Sequence, residues 1–241
     1  MELEFVHSVF LKEESAKRVG KLAKDNDIIL TAHAPYYVNL NAREAEKVEA
    51  SKYRILQSAR MLNFAKGYSV VYHPGFYFKD DTKKVYDKIK KEIGNIERIS
   101  NDEALDVWIR PETTGKGTQF GELNELLTIS QGFERVMPCI DFAHLHARSN
   151  GAWNTISEFR TVFDKVESHL GKRGLSNMHV HFSGIAYSEK GEKNHLPLVE
   201  SDFAYEEWVK VLKEYKISGI FVSESPNIEK DALKIMELYN K

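Results

Sequence analysis

Residues 136–144 read VMPCIDFAH, a short apolar run that ends in an aspartate and a histidine. Six other runs of this kind occur along the chain, and segments with the apolar spacing of amphipathic helices separate them. Strands that alternate with helices indicate right-handed βαβ units and a parallel sheet. The other runs are LEFV (3–6), IILTAHAP (28–35), YSVVYHPG (68–75), DVWIRPET (106–113), NMHVHFSG (177–184) and GIFVSESP (219–226).

The length of the chain favours a closed barrel over an open sheet. The chain has 241 residues, and about 250 residues is typical of an eight-unit TIM barrel. Seven strands are visible, and the sequence begins almost directly on the first of them, so the first βα unit is expected to be absent. No linker or change in composition divides the chain. The prediction is therefore an α/β TIM barrel with seven visible strands that forms a single domain over residues 1–241.

Composition and charge exclude several classes of protein. The formal net charge is −2, so no strong global field recruits nucleic acid or an anionic membrane, although a local basic patch remains compatible with a DNA partner. The single cysteine, Cys139, excludes an intramolecular disulfide and fits a reducing compartment. No apolar run approaches the roughly 18 residues of a membrane span, and the acidic N-terminus differs from a signal peptide. We expect a soluble, cytoplasmic protein with no membrane partner.

Residue types that bind metals follow nearly every predicted strand. Sites of parallel α/β proteins lie at the C-terminal ends of the strands. Each residue alone has an ordinary explanation, such as a turn histidine, but their convergence on one rim favours a metal centre. Imidazole with carboxylate favours zinc, with manganese or iron as alternatives, and the number of ligands suggests two or three ions. The candidate ligands are His33, His73, Glu112, Asp141, His144, His179, His195 and Glu224, with His181 ranked below His179 and His146 undecided.

In order along the chain, these motifs resemble the endonuclease IV family of zinc-dependent apurinic/apyrimidinic endonucleases, which are xylose-isomerase-like TIM barrels. The resemblance runs from about residue 28 to about residue 226. It implies a DNA repair enzyme with three zinc ions that cleaves double-stranded DNA 5′ to an abasic site by metal-bound hydroxide. The motifs are AHAPYYVNL, YHPG, RPETTGKG, CIDFAH, MHV, NHLPL and SESP.

The resemblance also implies roles for individual residues. Glu112 corresponds to the catalytic glutamate that bridges two ions. Tyr36 matches a tyrosine that contacts distorted DNA near the lesion, and an aromatic ring suits stacking at an unpaired site. By the same resemblance, His33 and His73 hold the first ion, Asp141, His179 and Glu224 hold the second, and His144 and His195 hold the third.

Two positions depart from the family pattern. The family has an aspartate two residues before the last histidine, where this chain has Lys193. Either Lys193 supplies positive charge near the DNA phosphate, or Glu192 takes the place of the missing carboxylate. The bridging glutamate aligns without gaps to Pro111, so a local shift must bring Glu112 inward.

Two other classes of function stay open at this point. A sugar isomerase or epimerase of the same barrel superfamily would bind at most two ions and ignore DNA. A catalytically degraded homologue would bind damaged DNA or a metal without turnover. A second copy of the chain is also a candidate partner, since a seven-stranded barrel leaves two edges that need covering.

Overall fold

The computed structural model describes all residues, 1–241, and the chain forms two compact units. Unit 1 comprises Met1–Glu112 and Gly132–Met137, and unit 2 comprises Thr113–Gln131 and Pro138–Lys241. All seven predicted strands are present, together with four further strands that the sequence did not predict. None of the helices combines the length and the apolar composition that crossing a bilayer requires. The prediction of one domain over residues 1–241 stays a prediction.

Unit 1 contains a four-stranded sheet and three helices. All strands of this sheet run parallel, and each is hydrogen-bonded to its neighbour in the order β1 (Glu2–Glu4), β2 (Thr31–His33), β3 (Ser69–Tyr72) and β5 (Trp108–Pro111). In chain order the elements are β1 (Glu2–Glu4), α1 (Glu13–Asp25), β2 (Thr31–His33), α2 (Ala45–Phe64), β3 (Ser69–Tyr72), β4 (Gly75–Phe76), α3 (Thr82–Asp102) and β5 (Trp108–Pro111).

The apolar interior of unit 1 positions the ends of its strands. In α3, Ile89, Ile93 and Ile96 are fully buried, and their spacing places them on one face of an amphipathic helix. Strand β3 is buried along its whole length. Because the C-terminal ends of parallel strands meet at one edge of a sheet, the residues at the ends of β2, β3 and β5 lie close together.

Gly20 marks a close approach between α1 and the end of α2. A Cβ atom added at Gly20 would lie 2.3 Å from the carbonyl oxygen of Ala65, the residue that follows α2. We expect Gly20→Ala to lower the free energy of unfolding by about 1–3 kcal/mol through overpacking, against a gain in helix propensity of at most about 1 kcal/mol. Urea denaturation would measure the change.

The matched control is Gly117→Ala, where an added Cβ atom meets no atom within 4 Å. This variant should keep a free energy of unfolding close to that of the unmodified chain. Equal stability of the Gly20→Ala and Gly117→Ala variants would mean that α1 can move away from Ala65 without cost.

Unit 2 contains a three-stranded parallel sheet, an antiparallel hairpin and five helices longer than one turn. The strand order of the sheet is β11 (Gly219–Ser223), β8 (Met178–Phe182) and β7 (Cys139–Asp141), and β9 (Gly184–Ser188) pairs with β10 (Gly191–Leu196) in the hairpin. In chain order the elements are β6 (Gln119–Phe120), α4 (Leu123–Ser130), β7 (Cys139–Asp141), α5 (Phe142–Arg148), α6 (Ile156–Ser176), β8 (Met178–Phe182), β9 (Gly184–Ser188), β10 (Gly191–Leu196), a short 3₁₀ helix (Leu198–Glu200), α7 (Tyr205–Glu214), β11 (Gly219–Ser223) and α8 (Glu229–Asn240).

The β9–β10 hairpin corrects one expectation from the sequence, which treated residues 187–198 as a loop. Glu189 and Lys190 form a two-residue connection between the strands. Gly191 follows with a φ of +91°, a backbone conformation that glycine adopts without steric cost. The sequence pattern does not predict this hairpin, because charged and amide side chains dominate β10 and the alternation of apolar and polar residues expected of a strand is absent.

An aromatic cluster fills the interior of unit 2. The Trp208 side chain is fully buried. Its ring lies 5.2 Å from the ring of Phe142, 5.4 Å from that of Phe182 and 6.0 Å from that of Phe203, measured between centroids. Tilted aromatic pairs at such distances add attraction to the burial of apolar surface. The cluster therefore joins α5, α7 and β8 into one core.

Candidate metal centre

In unit 1, three of the predicted ligands meet at the edge of the sheet. His33 is the last residue of β2, and His73 and Glu112 directly follow β3 and β5. The Glu112 Oε2 atom lies 3.1 Å from Nε2 of His33 and 3.1 Å from Nε2 of His73. The Glu112 backbone N–H donates to the Tyr72 carbonyl at 3.0 Å, which fixes the carboxylate at this edge. Two imidazoles and a carboxylate form a donor set suited to zinc.

The surroundings of His33 favour a cation. The Nδ1 atom of His33 lies 2.8 Å from the Ala34 carbonyl oxygen, which orients Nε2 towards Glu112. Burial alone would lower the pKa of His33, but the hydrogen bond with Glu112 and the negative charges of Glu112, Glu4 and Glu2 outweigh it and raise the pKa to about 10. The same negative charges would stabilise a metal ion in exchange for the proton.

Two exposed tyrosines follow β2, and one of them lies beside this cluster. The Tyr36 ring lies 6.2 Å from the ring of His33, and 61% of its surface is exposed. Tyr37 is equally exposed and stacks on His7 at 5.9 Å. Tyr36 is therefore placed to contact a ligand bound at the cluster, and its predicted role in DNA binding stays a prediction.

In unit 2, a second cluster brings together His144, His195 and Glu224, whose ligand atoms all lie within 4.8 Å of one another. The Nε2 atom of His195 lies 3.8 Å from Glu224 Oε2, and the rings of His144 and His195 lie 5.6 Å apart. The Glu224 N–H donates to the Phe182 carbonyl at 3.0 Å, so the strand end fixes this carboxylate as it does in unit 1.

Both histidines of this second cluster use Nδ1 for contacts with protein oxygens. Nδ1 of His144 lies 3.0 Å from the Thr113 carbonyl oxygen, and Nδ1 of His195 lies 2.6 Å from Ser183 Oγ. In protein metal sites, the second ring nitrogen of a ligating histidine is usually held in this way. Asp141 caps α5 through the backbone N–H of His144, at 2.6 Å. These contacts fit a metal site.

Of the two histidines in β8, His181 is the one that the structure places next to Glu224. Nδ1 of His181 lies 3.2 Å from Glu224 Oε1. His179 pairs in register with Cys139, one layer farther from the strand end, and belongs to a buried group with Cys139 and His181. The two histidines share one face of β8, so depth along the strand decides which of them reaches Glu224.

Other polar residues near the strand ends of unit 2 are structural. Nε2 of His146 lies 3.0 Å from Asp202 Oδ1, and Asp202 accepts a hydrogen bond from the Tyr187 hydroxyl at 2.6 Å. Arg148 Nη1 donates to the carbonyls of Lys116, at 2.6 Å, and Gln119, at 2.9 Å. The buried His146 therefore belongs to a hydrogen-bonded network that reaches the surface at Asp202, and Arg148 anchors the loop that follows β5.

Glu192, named from the sequence as an alternative to Lys193, lies beside His144 at the edge of the cluster of unit 2. Its Oε2 atom is 3.6 Å from Nε2 of His144, whereas Lys193 is exposed.

The whole chain, residues 1–241, matches a family model described as xylose isomerase-like TIM barrel. A protein of Methanocaldococcus jannaschii that is named as uncharacterized is 47% identical over 245 residues, which cover 100% of this chain and 87% of that protein. A probable endonuclease 4 from Clostridium botulinum is 22% identical over 223 residues, which cover 90% of this chain and 78% of that protein.

Solved structures share the fold at low sequence identity. A D-tagatose 3-epimerase-like protein superposes with a TM-score of 0.77 and 18% identity, over 99% of this chain and 86% of that one. Endonuclease IV from Thermus thermophilus superposes with a TM-score of 0.70 and 17% identity, over 95% of this chain and 81% of that one. These matches confirm the predicted TIM barrel and the predicted resemblance to endonuclease IV.

Proposed function

The chain belongs to the xylose isomerase-like TIM barrel family, and we propose that it is a zinc-dependent phosphodiesterase that incises double-stranded DNA on the 5′ side of an abasic site. Proteins of this fold include both endonuclease IV and sugar epimerases. The likeness to the epimerase is one of structure, whereas the probable endonuclease 4 of Clostridium botulinum also aligns in sequence over 90% of the chain. The sequence match favours the nuclease.

The observation that carries this proposal is the position of Glu112 between two imidazoles, with one carboxylate oxygen 3.1 Å from each Nε2 atom. A fully buried carboxylate is costly unless positive charge compensates it. His33 and His73 with Glu112 supply the nitrogen and oxygen donors that zinc prefers, and manganese is the alternative metal. The cluster of His144, His195 and Glu224 in unit 2 supplies a second donor set of the same kind.

Zinc held by His33, His73 and Glu112 would lower the pKa of a water molecule and stabilise negative charge on a phosphate. The residues of the chain supply the remaining functions. Ala34 orients His33 through its carbonyl, and the burial of Glu112 keeps bulk water away from its carboxylate. Exposed Tyr36 offers an aromatic surface for an unpaired site in the DNA. Exposed Lys193 offers a positive charge for the phosphate backbone.

The proposal is tested with a labelled DNA duplex that carries one abasic site. Protein reloaded with zinc is expected to cut on the 5′ side of the lesion, and the same protein stripped by a chelator is expected to lose this activity, because the ligands alone cannot activate water. The products are resolved on a denaturing gel against size standards.

An undamaged duplex of the same sequence serves as the substrate control and should stay intact. Folded, zinc-loaded protein that leaves the abasic duplex uncut would contradict the nuclease proposal. Interconversion of ketohexose epimers by the same preparation would then support the sugar epimerase instead.

A further inference from the structure

The β9–β10 hairpin contains an irregularity next to the cluster of unit 2. Glu192 pairs with Tyr187 and Asn194 pairs with Ala186, with a shift in register between them. Lys193 is therefore the extra residue of a β-bulge, without an opposite residue on β9. In a regular strand, residues two apart share a face. The bulge adds one residue to that spacing, so Glu192 shares a face with His195, which lies three positions later.

This placement brings the Glu192 carboxylate next to one ligand atom of the cluster, Nε2 of His144. Its Oε2 atom lies 3.6 Å from Nε2 of His144, and Nε2 of His195 lies 3.8 Å from Oε2 of Glu224. With metal–ligand bonds of about 2.0–2.1 Å, neighbouring donors of a tetrahedral zinc ion lie about 3.3 Å apart. Small movements of the side chains would bring these donors to the spacing that zinc requires.

Two glycines make room for the carboxylate. A Cβ atom at Gly115 would lie 2.7 Å from Glu192 Oε2 and 3.0 Å from Cδ2 of His144. A Cβ atom at Gly191 would lie 2.3 Å from the Gly115 carbonyl oxygen, and the Glu192 N–H donates to this same oxygen at 3.0 Å. The hairpin and the loop after β5 thus meet at backbone distance, and any larger side chain at position 115 would push Glu192 away from His144.

We infer that Glu192 is the fourth ligand of a zinc site formed with His144, His195 and Glu224. The site then contains two imidazoles and two carboxylates, which is enough to hold zinc with four protein ligands. The bulge places Lys193 outside the ligand set and in solvent. This assignment rests on the proposed function in taking the cluster to be a zinc site, and it names the carboxylate that completes it.

Metal binding tests the assignment without any measurement of activity. The chain and its Glu192→Gln variant are stripped with a chelator and titrated with Zn²⁺ in competition with a chromogenic chelator. The variant should lose one zinc per chain, or bind its weakest zinc about 10–100-fold less tightly, because the amide carries no charge. The matched control is Glu189→Gln, in the turn of the same hairpin, which should bind zinc as the unmodified chain does.

Co²⁺ gives a second readout, since its visible absorption depends on the number and geometry of its ligands. The spectrum of the Co²⁺-loaded chain should change in Glu192→Gln and stay the same in Glu189→Gln. Circular dichroism shows whether each variant is folded. If Glu192→Gln does not fold, the same titration with Glu192→Asp, which keeps the charge on a shorter side chain, should give zinc binding weaker than that of the unmodified chain.

The outcomes separate this assignment from the nuclease proposal. Zinc content and affinity equal to those of the unmodified chain in Glu192→Gln, with an unchanged Co²⁺ spectrum, would overturn the assignment and leave the nuclease proposal intact. An unmodified chain that binds the zinc lost by Glu192→Gln, yet fails to cut abasic DNA, would support the assignment and contradict the nuclease proposal.

Discussion

Replacing Glu112 with glutamine is expected to slow incision at an abasic site by about 10²–10³-fold, the size of effect seen when one preorganised electrostatic group is removed from an active site. Glutamine keeps the volume of the side chain, so the packing around this fully buried position should survive. The amide carries no negative charge, so it cannot hold a cation between His33 and His73 as the carboxylate can. Activity should therefore fall far more than stability.

Single-turnover incision with saturating enzyme and zinc measures this change without interference from product release. Glu103→Gln is a suitable control in the same unit, because Glu103 pairs with Arg60 at the surface, with 2.6 Å between Oε1 and Nη2. This control should cut at the rate of the unmodified chain. If Glu112→Gln cuts within a few-fold of that rate at equal zinc content, Glu112 has no catalytic role.

Truncating Trp208 to alanine is expected to lower the free energy of unfolding of unit 2 by about 3–5 kcal/mol. Trp208 is fully buried and its ring packs on those of Phe142, Phe182 and Phe203. The truncation removes these contacts and leaves a cavity that a core of large rings can close only in part. Guanidinium denaturation followed by circular dichroism measures the loss.

The Trp208→Phe variant separates the effect of aromatic packing from the effect of side-chain volume. The indole Nε1 atom is buried and makes no hydrogen bond, so phenylalanine removes an unsatisfied donor while it keeps one aromatic ring in the cluster. This variant should lose much less stability than Trp208→Ala. A similar loss in both variants would show that the volume of the second ring, rather than aromatic packing as such, supports the core.

The parallel strands and the positions of the strand-end histidines and carboxylates could be predicted because both depend on local pattern. Apolar, β-branched runs such as YSVVY identify buried strands without any knowledge of their neighbours. Once the sheet is parallel, topology alone brings His33, His73 and Glu112 to one edge. The structure confirms these strands, and it places the ligand atoms of the three side chains within 4.8 Å of one another.

The features that could not be predicted depend on register and on irregular backbone. His179 and His181 share one face of β8 by periodicity, and periodicity alone does not show that His181, the one nearer to the strand end, lies beside Glu224. Glu192 appeared in the sequence as one of two alternatives for a missing carboxylate. Hydrophobic periodicity does not predict the bulge that places Glu192 on the same face as His195, because residues 191–195 contain no apolar side chain.

The bulge at Lys193 also determines whether a sequence search finds the carboxylate before His195. When one extra residue loops out of a strand, the numerical distance between two ligands changes while their spatial relation is preserved. A pattern search with a fixed interval before His195 would score this chain as lacking a carboxylate. Homology searches that tolerate a one-residue insertion in this hairpin should recover further chains in which a cation occupies the expected ligand position and an acidic neighbour substitutes for it.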